Sequence, residues 1–158
     1  MKDYRIEIAH MDVVRDVANK TGLRSQWKEA AGASTADASS VSSADDSDSA
    51  LFQAERSIDS ALSRLSSVAG EYVAGTSDGD GVTELLLCLP DNCDTGAAAK
   101  LSEAVHAYVV ASVTGDWYVV TCREDADVWT ATAANCLETV LRIVHSRRRP
   151  DACRRRVE

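Results

Sequence analysis

Three histidines, five cysteines and one glycine–aspartate stretch are the residues of this sequence best suited to chemistry, and their spacing decides what they can do. His10, His106 and His145 fall in three separate predicted helices. None has a second His at the spacing of a helical metal motif such as H-E-x-x-H. His106 lies beside an apolar face, where an imidazole serves packing. Cys88-Leu-Pro-Asp-Asn-Cys93 has four intervening residues, one of them proline, and fits neither a C-x-x-C redox pair nor a zinc knuckle. Cys136 falls in an apolar helical stripe and reads as a small hydrophobe. Gly75 to Gly81 carries Asp78 and Asp80 and no Lys, so it repels phosphate. Its Asp-Gly-Asp-Gly resembles part of a calcium loop, but Leu87 stands where the closing bidentate Glu belongs. Asn19-Lys20-Thr21 matches a glycosylation acceptor in a chain expected to have no secretion route. These spacings predict no catalytic residue, no cofactor, no metal ligand and no small-molecule substrate.

Charge is the next source of function. The 158 residues hold 17 basic and 25 acidic side chains, a net −8. From Arg142 to Glu158 seven arginines face only Asp151 and Glu158, a local +5 that leaves −13 for residues 1–141. An acidic body does not coat DNA unaided, because phosphate contacts need clustered cations. Arg147, Arg148, Arg149, Arg154, Arg155 and Arg156 are therefore the candidate interaction residues, toward an acidic partner or toward phosphate. A solvated basic end that only aids solubility is the plainer reading.

The elements that position these residues follow from periodicity. Ile8, Met11, Val14 and Ala18 step by three and four, predicting a helix over roughly Ile6–Gly22 with Gly22 closing it. Residues 30–50 hold Ala, Ser and Asp, with Val41 as their lone β-branched aliphatic. Such a segment cannot offset its ordering entropy and predicts a linker. Leu51, Ile58, Leu65 and Tyr72, with Ala54, Ala61 and Val68 between them, predict an amphipathic helix of about 25 residues, capped by Ser47 or Ser49. Gly75–Gly81 reads as a loop, and Val82–Leu89 as a strand that needs a partner elsewhere in the chain or in another subunit. A third helix starts near Thr95 or Ala97 along Leu101, Ala104, Val105, Tyr108, Val109 and Val113. Trp117–Cys122 then reads either as a strand or as the continuation of that helix. Trp117 and Val120 prolong its face, which favours the long helix despite Gly115. The last helix follows the acidic Glu124–Asp127, buries Trp129, Ala133, Cys136, Leu137, Val140, Leu141 and Val144, gathers Arg142, His145 and Arg147–Arg149 in its final turns, and stops at Pro150.

The expected architecture is mostly α, a bundle of three to four helices with one short strand or hairpin at about 82–89. Its expected divisions are an N-terminal helix and arm at 1–29, an Ala/Ser/Asp linker at 30–48, a helical core at 49–150 and an Arg-rich tail at 151–158. No apolar run has the ~18 residues of a membrane span. The charged Met1–Glu7 lacks the apolar core of a secretory signal, and five cysteines without tight spacing suggest free thiols, so cytoplasmic synthesis is expected.

Residues 97–150, through Glu103-Ala-Val-His-Ala-Tyr108, Asp116-Trp-Tyr-Val-Val-Thr121, Glu124-Asp-Ala126 and Arg147-Arg-Arg-Pro150, resemble small helical proteins of prophage structural gene clusters in gut bacteria. The resemblance extends by layout to the Thr21-Gly22 helix end, a mid-chain helix and a strand ending in proline. It implies a non-enzymatic part of a tailed-phage particle at the head–tail junction or tail, partnered by itself or by neighbouring virion proteins. The linker and the segment Cys153–Glu158 depart from that layout. Two other readings stay open: a nucleic-acid-associated helical protein using its arginines, and a small helical interaction module. Self-association through the 82–89 strand and the Arg-rich end is the expectation that joins charge to fold.

Overall fold

Polar and apolar side chains alternate through Arg5-Ile6-Glu7-Ile8, and in the computed structural model, which describes residues 1–21 and 43–147, this segment is a strand, β1 (Lys2–Ala9). Ile6 and Ile8 are buried on one face while Arg5 and Glu7 stand exposed on the other. The predicted helix over Ile6–Gly22 is thereby corrected. The helix, α1, is His10–Thr21, and it buries His10, Val13 and Val17 while Met11 is exposed. Ile8 and Met11 imitate a helical step only because a strand residue is followed by a helix three positions later.

The second helix, α2, is Ser43–Val68, so residues 43–48 of the expected linker are its first turns and neither Ser47 nor Ser49 caps it. The rest of the linker, Gly22 and Trp27 lie outside the described residues, as do residues 148–158. Ala54, Ile58, Ala61, Leu62 and Leu65 form the buried stripe, joined by Ser57. Val68 leaves the stripe at 54% exposed, because a short 3-10 turn (Gly70–Tyr72) redirects the chain and puts Tyr72 into the core instead.

Two strands follow, β2 (Val73–Gly79) and β3 (Val82–Leu89), joined by Asp80-Gly81 with Gly81 at φ +76°. Most of the predicted loop at 75–81 is therefore strand. Its Gly, Ser and Asp carry no strand preference, and it is extended because it pairs with β3 across an Asp-Gly turn. The sheet is antiparallel in the order β1-β3-β2, with Leu85 opposite Ile6 on one side and Thr76 on the other. The expectation that 82–89 joins another subunit fails here. Both of its edges are paired within the chain, and the open edges belong to β1 and β2. Thr83, Leu85, Leu87 and Leu89 face inward, beneath the helices.

A single turn, α3 (Thr95–Ala98), leads to α4 (Leu101–Thr121) and α5 (Arg123–His145), separated by Cys122 alone. Trp117–Thr121 is thus helix. Every position from Tyr108 to Gly115 is buried, including Val110, Ala111, Ser112 and Thr114 beyond the predicted face. A helix apolar on all sides is one wrapped on all sides, and α4 is the axis on which α1, α2 and α5 pack. Thr114 satisfies its hydroxyl on the Val110 carbonyl at 2.7 Å. Gly115 lies against Trp129 and Thr130, where α5 runs back along α4. Ala126, Ala133, Val140 and Val144 bury against that axis, with Trp129, Cys136, Leu137 and Leu141 half-buried beside them. The fold is mostly α with one short three-stranded sheet.

Candidate functional site

The helical hairpin α4–α5 has one end tied down and one end that no other described element covers. At the tied end α5 stops at His145, before the expected Pro150, because Ser146 donates both its backbone N–H (3.0 Å) and its hydroxyl (2.7 Å) to the Ile143 carbonyl. Arg147 lies past the helix. Its guanidinium donates to the Val144 carbonyl at 2.9 Å and to the Tyr72 hydroxyl at 3.1 Å, and its backbone bridges to Cys93. The His145 ring stands edge-on to Tyr72 with centroids 5.3 Å apart. Of the six arginines singled out as interaction residues, Arg147 is thus a structural clasp, while Arg148, Arg149, Arg154, Arg155 and Arg156 lie outside the described residues.

The free end is the hairpin tip. Val119, Val120 and Val128 are 64, 79 and 63% exposed within the last two turns of α4 and the first two of α5. Cys122 is exposed between them. Glu124, Asp125 and Asp127 are exposed there too, beside Arg123. Three exposed valines in the turns on either side of Cys122 point to a contact surface rather than to packing. Sequence reasoning missed it because Val120 continues the spacing of the buried face; only its neighbours, the acids at 124–127, signalled the turn.

One described group has the form of a catalytic relay. His10 Nε2 is 2.8 Å from the Thr83 hydroxyl, and its Nδ1 is 3.5 Å from a Glu55 carboxylate oxygen. At that distance Glu55 is a Coulombic neighbour, and Nδ1 is a buried atom without a hydrogen-bond partner. A proton on Nδ1 would face that carboxylate and leave Nε2 to accept from Thr83. This is the order of a hydroxyl–imidazole–carboxylate relay. Thr83, however, is 1% exposed on the inward face of β3, and its β-branched hydroxyl is spent on His10. What the trio does is join β3, α1 and α2 at the point where β1 turns into α1, with the His10 backbone N–H donating to the Gly81 carbonyl at 3.0 Å. No spacing announced it, since the three residues are far apart in the chain. A cleft of about 290 Å³ lies nearby, floored by Thr83 and edged by Ser63, Ser66, Thr76, Asp59 and Asp78. Its carboxylates and hydroxyls give it the polar lining of a solvated crevice.

The remaining chemistry is distributed. His106 Nε2 lies 2.8 Å from Asp16, pinning α1 to α4, and the Lys20 ammonium lies 5.5 Å from the centre of the Trp129 ring. Cys88, half-buried on the outer sheet face, donates its thiol to Asp3 at 3.0 Å; that bond to a carboxylate pushes its pKa up. Cys93 is buried. The pair is therefore split between a sheet face and a loop. Among the described residues, no group of three or more His, Cys, Asp or Glu is arranged around a common point, and no helix is long and apolar enough to cross a membrane. Compared with family models, curated proteins and solved structures, the chain matches none.

Proposed function

We propose that this chain is a non-enzymatic structural or assembly component of a prophage particle, of the head–tail connector or tail-associated kind, working by contact with other protein chains. The observation that carries the contact reading is the free hairpin tip with its three solvent-held valines. The phage assignment rests on the resemblance of residues 97–150, and α4–α5 is the body of that stretch. The described histidines support the same reading: His10 braces a three-element junction, His106 pairs with Asp16, and His145 packs on Tyr72. An interior of Leu, Val, Ile and Ala suits a rigid part whose outer surface does the work. Because β3 is enclosed, such contacts use helix surfaces or the β1 and β2 edges.

Co-expression with the products of the adjacent genes tests this. The expected result is a complex that survives size-exclusion chromatography, with portal, capsid or tail genes among those neighbours. A chain that ignores every neighbouring product and lies among metabolic genes would overturn the proposal.

A further inference from the structure

We infer that the α4–α5 tip is the docking surface for a second copy of this chain, which engages it through the Arg-rich segment after Arg147, so that copies associate head to tail. The inference rests on the contact reading above and names its partner. Val119, Val120 and Val128 supply the apolar area, at 64, 79 and 63% exposed. Glu124, Asp125 and Asp127 surround it with negative charge that Arg123 offsets only in part.

Complementary charge identifies the occupant. Arg148, Arg149, Arg154, Arg155 and Arg156 form the chain's concentrated positive segment in a molecule of net −8. The segment leaves the body at the far end of α5. That helix has 23 residues, about 34 Å at 1.5 Å per residue. The clasp of Arg147 on Tyr72 and Val144 fixes that departure point. An acidic tip at one end of α5 and a basic segment that departs after its other end favour a heterologous contact, the tail of one copy against the tip of the next.

The experiment uses the full-length chain and a short bismaleimide cross-linker, with products mapped by mass spectrometry. Cys122 sits in the tip and Cys153 lies between the two arginine clusters. Head-to-tail association predicts covalent dimers and larger species joined Cys122 to Cys153 between copies. In parallel, molar mass is followed at low and high salt for the wild type, for Val120→Glu, and for a variant with Arg148, Arg149, Arg154, Arg155 and Arg156 all changed to Ala. Arg147 is kept because it closes α5. Each variant, and added salt, should lower the multimer fraction about tenfold, with the helical circular dichroism unchanged. Cys122–Cys122 products would mean tip-to-tip pairing, and Cys122–Cys153 links confined to monomers would mean a tail folded on its own tip; either overturns the inference. So do multimers indifferent to both variants, or a wild type that stays monomeric throughout. A chain that fails these tests and still binds neighbouring gene products loses this inference and keeps its assembly role.

Discussion

Replacing Gly115 by Ala should stabilise the protein. Gly115 lies within α4, where glycine costs about 1 kcal/mol relative to alanine, chiefly through the freedom it regains on unfolding. Whether an added side chain would collide with the facing helix decides the sign. A Cβ built at this position meets Trp129 Cβ at 3.6 Å and the Thr130 nitrogen and hydroxyl at 3.7 Å. Those are ordinary van der Waals separations, so nothing has to move. The gain should be close to the full propensity difference, about 1 kcal/mol, or a rise in Tm of roughly 2–4 °C for a domain of this size. Gly115→Val reverses the sign, since its extra methyl groups must enter the packed seam against α5, at about 1–3 kcal/mol. Urea unfolding followed by circular dichroism reads both, provided the transition slope is unchanged. An Ala variant less stable than wild type by about 1 kcal/mol would show that the helices approach more closely here, and the register of the hairpin would be wrong.

Four other perturbations probe separate parts of the account. Leu65→Ala should cost about 2–5 kcal/mol because its side chain is fully enclosed, whereas Val68→Ala should stay within about 0.5 kcal/mol; equal losses would contradict the turn after α2. Trp129→Ala, half-buried under Lys20, should cost about 2 kcal/mol by denaturant titration, and no loss would refute the packing of α5. Thr83→Val leaves the His10 imidazole without its hydroxyl partner and should cost about 1–3 kcal/mol; a silent variant would remove the bracing role of the trio. Burial raises the pKa of Tyr108 above its ordinary 10.0. The folded chain then keeps a proton that the unfolded chain loses, so stability falls as pH rises above about 10. Tyr108→Phe should flatten that decline, and an unchanged slope would count against the burial.

The parts of the fold visible in the sequence were those whose pattern outlasts a few turns. The spacing of Ile58, Leu65 and their neighbours marked α2, and acid at the start with base at the end marked α5. The long reading of α4 came from Trp117 and Val120 keeping step with Val113, though Val120 proved exposed: periodicity reports a helix face and cannot tell where the partner helix ends. The strands were harder. β1 abuts α1 without a turn, so its alternation ran into the helical spacing. β2 has almost no apolar pattern, and its extension is imposed by β3, a contact no local window contains. Once β1 and β2 were missing, β3 looked unpartnered, and the inference of a strand-mediated contact between subunits followed from that omission.

Functional residues divide along the same line. The Arg-rich end was legible as charge, yet Arg147 turned out to close a helix, a role set by Tyr72 and Val144 meeting it in space. The trio of His10, Glu55 and Thr83 had no signature because it is assembled from three elements. Of the tip valines, Val120 falls on a predicted interior face because hydrophobicity alone does not distinguish a buried residue from one kept for a partner, while Val119 and Val128 lie on none.

Contact with other protein chains is the claim on which the functional account turns, and the molar mass of the full-length protein in solution tests it most directly. Light scattering over a wide concentration range, alone and with the products of adjacent genes, should give a mass that climbs above 16.9 kDa and falls back as salt is added. A constant 16.9 kDa under every one of those conditions would contradict it.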